Sequence, residues 1–304
     1  MSARAASAAT ARATAFVAER RPAALALGRE LAGQLDQPEA FAAALEAGLR
    51  GLADPVYRDA QARVAPGIGP VLGVRAPLLG AVAAGFRPAL RRARPAEALW
   101  IAERLSHEAA AEVRLFAVAF LRRSLPQDPE RTWQLIRRMG RAARDWVSVD
   151  TIADLAAEGV LREPYRWSEL EQLAYAPNPW ERRLVGSTLA RMRHVRPAAL
   201  RLALDAGRAL SLVGELLGDA DPNVRRALAR ALRELASIDG PATSAFLAAA
   251  ADRAARENDA HRAWVVREAL PALDPAMAAR LHARLSSPHQ PSPVSDGLLV
   301  AGRR

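Results

Sequence analysis

The sequence predicts an all-α protein built as a solenoid, and three observations predict it. The chain has 304 residues, of which 51% are hydrophobic but only 5% aromatic, with alanine and leucine dominant. Enough apolar mass is present for a large core, and the residues that supply it favour helix. Amphipathic helix patterns recur from about residue 95 onward. Finally, these patterns come in pairs, a shorter helix followed by a longer one.

The longer helices share one frame. "EVRLFAVAFLRR" starts at Glu112, "WVSVDTIADLAA" at Trp146, "WERRLVGSTLAR" at Trp180, "NVRRALARALRE" at Asn223 and "HRAWVVREALPA" at His261. Each has leucine at the tenth place: Leu121, Leu155, Leu189, Leu232 and Leu270, at steps of 34, 34, 43 and 38 residues. The partners that precede them are "EALWIAERL", "PERTWQLIRRM", "WSELEQLAYA", "RALSLVGELL" and "ATSAFLAAAADRA". Helix pairs at this period indicate a HEAT-like α-solenoid, a superhelix of antiparallel pairs with a concave face. "DPNVRRALARAL" fits the pattern closely. Asp221 caps, Pro222 takes the first turn, and Val224, Ala227, Leu228, Ala231 and Leu232 face inward.

The remaining segments follow in order. Residues 1–22, rich in alanine and arginine, read as a disordered or flexible extension, although their composition also resembles a transit peptide. A single solenoid domain is expected over 23–285. It opens with two helix candidates, "PEAFAAALEAGLRGL" and "APLLGAVAAGFRPAL". The stretch "ARVAPGIGPVLGVRAPLLG" contains four glycines and three prolines and reads as a loop with its own geometry. The tail 286–304, with three prolines and no period, reads as disordered.

Charge narrows the function. The net charge is +10, and every one of the 43 basic residues is arginine. An anionic partner is expected, nucleic acid first, because guanidinium binds phosphate bidentately. With no lysine, no side-chain amine can form a Schiff base. No cysteine is present, which excludes disulfides and thiolate chemistry and suits a cytoplasmic setting. No membrane span is expected, no cofactor, and no metal, since the five histidines lack ligand spacing. No P-loop or nucleophile-elbow motif occurs.

Stacked repeats turn equivalent places into rows. First, fourth and fifth places share a helix face. Trp146 and Asp150 therefore lie together, Trp180 and Arg183 beside them one repeat on, and Arg226 beyond. A lone carboxylate in an arginine-lined groove is repelled by phosphate and needs a reason to be there. Stabilising the cationic sugar formed when a glycosidic bond breaks is one such reason. An aspartate–arginine ladder between repeats, with the two indoles in the core, is the other reading of the same spacing. For Arg226 the plain alternative is a solvated face.

Four segments in order, "GVRAPLL" (73–79), "DWVSVD" (145–150), "PWERR" (179–183) and "VRRALARALRELA" (224–236), resemble the DNA alkylation repair family, the AlkD-type DNA glycosylases. The resemblance covers roughly residues 55–275. It implies a solenoid that cradles duplex DNA and a monofunctional enzyme that excises cationic N3- and N7-alkylpurines without flipping the base into a pocket. It also implies that Trp146 and Asp150 contact the lesion deoxyribose, as the catalytic pair, and that Arg183 contacts the backbone. Trp180, Arg226, Arg230 and Trp264 complete the expected DNA-binding set. The chain departs from the family where Arg230 stands in place of a tryptophan; Trp264 has a similar context one repeat later. The expected partner is alkylated duplex DNA, bound by a monomer near the nucleoid. A non-catalytic repeat protein that binds DNA or another protein is the alternative.

Overall fold

The computed structural model describes residues 3–286, and the expected disordered tail lies almost wholly outside them. Among the described residues the chain is helical throughout, without strands. The helices are α1 (Ala3–Leu31), α2 (Pro38–Gly51), α3 (Pro55–Val64), α4 (Ala76–Leu90), α5 (Pro95–Ser106), α6 (Ala111–Ser124), α7 (Pro129–Ala142) and α8 (Trp146–Arg162). They continue as α9 (Arg166–Leu173), α10 (Pro179–Arg191), α11 (Ala206–Leu216), α12 (Pro222–Ala236), α13 (Gly240–Glu257), α14 (Ala260–Ala269) and α15 (Pro275–Ser286).

Local chemistry sets these boundaries. Asp54, Asp128, Asp145, Asn178, Asp205, Asp221, Asp239 and Asp259 each stand one residue ahead of a helix and accept from its first free amides. Proline in the first turn removes an amide that would otherwise lack a partner, as in α3, α7, α10 and α12.

From α5 onward the helices pair as the repeat predicts. The second members α6, α8, α10, α12 and α14 form one row, with each packed against the next, although in the last pair the first member, α13, is the longer. All five tenth-place leucines are buried, and so are the five inward positions expected of α12. Gly186 explains how closely α10 and α12 approach, since a Cβ there would lie 2.9 Å from the Ala227 carbonyl carbon.

Three parts differ from the sequence expectation. Residues 3–22 are not an extension but the first two thirds of α1, which packs on α4. Alanine and arginine are strong helix formers, and Phe16 and Val17 give that segment apolar contacts with the core. The two backbones meet at Gly28 and Gly85, where a Cβ would lie 2.1 Å from the Val82 carbonyl oxygen and 2.6 Å from that of Leu25. Helix α3 forms although its valines, Val56 and Val64, stay exposed and do not join the core. The long 43-residue step between Leu189 and Leu232 is filled by short 3-10 turns at Met192–His194 and Ala198–Ala203.

Candidate nucleic-acid interface

The glycine-rich loop leads from α3 into α4 and is held by one carboxylate. Glu112, fully buried at the start of α6, accepts the backbone amides of Leu72 (3.0 Å), Gly73 (2.8 Å) and Val74 (3.2 Å). Three amides around one carboxylate make a charge-assisted cradle. Gly73 adopts φ of 87°, and a Cβ there would lie 2.5 Å from that of Arg58, so the turn requires glycine. Asp54 caps α3 through the amides of Val56 and Tyr57 and takes Arg75 Nε at 2.8 Å. Burial pulls its pKa upward, but the bonds from Arg75, Tyr57 and Val56 outweigh burial and hold it below the ordinary value.

This loop is tied to the next repeat by Trp146. Its indole N–H donates to the Val64 carbonyl at 3.3 Å, and 37% of the residue stays exposed. Asp145, buried just ahead of it, caps α8 by accepting the Ser148 amide at 2.9 Å and the Ser148 hydroxyl at 2.6 Å.

Asp150 follows one turn after Trp146 and is the centre of a cluster drawn from three helices. Arg183 of α10 reaches it with a fork: Nε to Oδ1 at 3.2 Å, and Nη2 to Oδ1 and Oδ2 at 2.9 and 3.0 Å. The remaining arm of Arg183, Nη1, donates to the Asn223 carbonyl at the start of α12, at 2.7 Å. Ser187 donates its hydroxyl to Oδ1 at 2.7 Å. Arg230 of α12 places Nη1 3.7 Å from Oδ2. Arg230 stands on α12, which approaches α10 closely at Gly186. The side chains of Arg183, Asp150 and Arg230 are 7%, 13% and 39% exposed, so burial decreases from the pinned guanidinium outward.

The other expected site residues are distributed along the row. Trp180, held by the Asn178 cap, is half-buried against the core at the start of α10. Arg226 is exposed, and its side chain makes no hydrogen bond or ion pair with another described residue. Trp264 lies apart on α14, partly buried, with the Arg225 guanidinium 5.4 Å over its ring. The structure thus gathers Asp150, Arg183 and Arg230 around one carboxylate. Trp146 stands one turn away on the same face, and Trp264 lies beyond α12. Ser187 belongs to the cluster but was not singled out from the sequence. Its signal is its place four residues after Arg183, on the same helix face.

Chemically, the cluster presents a fixed carboxylate near the surface, braced by two guanidiniums and a hydroxyl, with an indole beside it. The geometry is that of an ion pair between repeats, and the same bonds orient the carboxylate. Among the described residues no group of three metal-ligating side chains occurs, and no helix is long and apolar enough to cross a membrane.

A family model described as "DNA alkylation repair enzyme" matches residues 45–273. No curated protein matches the chain. Among solved structures, a protein from Enterococcus faecalis described as a predicted DNA alkylation repair enzyme has a similar fold, with a TM-score of 0.56 at 12% identity. That similarity covers 77% of this chain and 97% of the other.

Proposed function

The chain belongs to the DNA alkylation repair enzyme family, and on that premise we propose that it hydrolyses the N-glycosidic bond of cationic N3- and N7-alkylpurines in duplex DNA. The observation that carries this reading is the position of Asp150. Its carboxylate is fixed by Arg183 and Ser187, beside the half-exposed indole of Trp146, in a row that also displays Arg226 and Arg230.

In the proposed reaction the bond between C1′ and the base nitrogen breaks. The electron pair leaves with the base, which departs neutral because it began cationic. Positive charge develops on the sugar, where Asp150 stabilises it and Trp146 offers the face of its ring. Water adds at C1′ and loses a proton, leaving an abasic site. The chain has no lysine, so no side-chain imine forms and the strand stays intact.

The accessible cations divide from the buried one. Arg183 is pinned to Asp150 and the Asn223 carbonyl, and is a positioning residue that reaches DNA through the carboxylate it holds. Arg226 and the half-exposed Arg230 supply the phosphate contacts. Trp180 and Trp264 border the same row as walls.

A second reading, DNA binding without catalysis, is favoured by one observation. Arg230 adds a cation to a carboxylate that Arg183 already satisfies, where a cationic lesion would have to approach. Release of 7-methylguanine or 3-methyladenine from methylated duplex DNA by the purified protein separates the two. Free base supports the glycosylase, and duplex binding without release supports the binder.

A further inference from the structure

A second basic site lies in the same row of helices, at the far ends of α4 and α6. A cavity of about 380 Å³ is found elsewhere, against α8, but the one at this end is of about 320 Å³ and differs in its lining. Its floor is apolar, formed by Phe86 and Leu90 among others, and its rim consists of Arg87, Arg91, Arg122 and Arg123. No carboxylate lines it.

The four guanidiniums are not equivalent. Arg123 is used structurally, donating to the Leu90 and Ala93 carbonyls, each at 3.1 Å, at the end of α4. Arg122 is 54% exposed and only 3.8 Å from Glu158, a carboxylate that Arg162 already occupies at 2.8 Å. Arg87 and Arg91 are exposed, and their side chains make no hydrogen bond or ion pair with another described residue. Elsewhere the chain pairs its arginines across repeats, as in Arg182 with Asp219 and Arg208 with Glu171. Gathering cations around one cavity without a counter-charge is unfavourable unless an anion binds there. Guanidiniums at this density suit phosphate oxygens, which they hold in pairs.

We propose that Arg87 and Arg91, with Arg122 beside them, form a second phosphate-binding patch that holds the backbone of the same duplex at a distance from Asp150. The inference rests on the proposed DNA-binding function. Helices α4, α6 and α8 are consecutive in the row. At about 8–10 Å per helix, Arg87 and Arg91 on α4 lie roughly 20 Å from α8, or about six phosphate steps along a strand.

The test is the salt dependence of binding to a 24-base-pair duplex for the full-length protein, Arg87→Gln, Arg91→Gln, the double variant and Arg226→Gln. Each phosphate contact contributes about 0.9 to the log–log slope. The double variant is expected to lose about 2 from that slope, each single variant about 1, and the double variant about tenfold in affinity at low salt. Both residues are exposed, so an unchanged melting temperature for all variants checks that the effect is local. Unaltered slope and affinity in the double variant, with Arg226→Gln weakened, would overturn the patch and leave the functional reading standing. Failure of the unaltered protein to bind duplex DNA overturns both.

Discussion

Arg183 grips Asp150 with two nitrogens across the junction of α8 and α10, and its third nitrogen holds the first turn of α12. One guanidinium therefore joins three successive repeats at the point where the carboxylate is displayed. The bond has structural and functional consequences together, and the two are separable by experiment.

Arg183→Gln removes the fork while keeping an amide. Breaking a largely buried pair at one end costs about 3 kcal/mol, the lower end of the usual range, because Arg230 and solvent still reach Asp150. Thermal unfolding should show a fall of roughly 5 °C. Duplex affinity should change less than twofold, since Arg183 is enclosed, while base excision falls at least tenfold as Asp150 loses its orientation. A large loss of affinity with normal excision by the bound protein would show that Arg183 contacts DNA directly.

Arg226 and Arg230 are expected to hold phosphate. Replacing both with glutamine should make the log–log salt slope shallower by about 2, with a uniform loss across duplex sequences. Equilibrium titration over a range of salt concentrations measures this. An unchanged slope would assign the phosphate contacts to other arginines.

Glu112→Gln tests the loop. The glutamine keeps the shape but can accept at only one oxygen, and it brings a buried amide group that needs a partner. Loss of hydrogen bonds to a charged group costs about 1.5–3 kcal/mol. The loop around Leu72–Val74 should open, and limited trypsin digestion should cut after Arg63 and Arg75 far sooner than in the unaltered protein. Equal digestion rates would mean that the loop is held by its other contacts, such as the Ala111 amide on the Pro70 carbonyl.

Asp54 gives a pH signature. Its folded pKa lies below the ordinary carboxyl value of 3.8. The unfolded chain therefore binds a proton first as pH falls. The stabilisation is fully present above pH ~4 and is lost as pH drops through the folded value. Asp54→Asn should lower the melting temperature by a constant amount between pH 5 and 7, and the gap should close below pH ~4. A gap that widens on acidification would reverse the sign.

Much of this was legible in the residues, and the limits have physical causes. The tenth-place leucines fixed the repeat frame, and the frame put Asp150 and Arg183 side by side. The family and the solenoid fold followed from the same segments. Arg230 meeting Asp150 was not legible, because that contact passes over α10 and depends on the close approach at Gly186. Glu112 binds backbone amides, and such a partner leaves no pattern in a sequence. The helical state of residues 3–22 is not legible because an alanine- and arginine-rich composition suits both a helix and a disordered extension; the contacts of Phe16 and Val17 with the core distinguish them.

The central claim is that Asp150 acts on the sugar and not only on Arg183, and Asp150→Asn assayed for release of methylated purines from duplex DNA tests it most directly. The unaltered protein should release free base and leave an intact abasic strand. The variant should excise roughly 10² to 10³ times more slowly, with duplex affinity equal or higher because a charge that repels phosphate is gone. Some thermal stability should be lost with the ion pair, so rates are compared per folded, DNA-bound molecule. Excision by the bound variant at the unaltered rate would contradict the account and leave Asp150 as an inter-repeat strut.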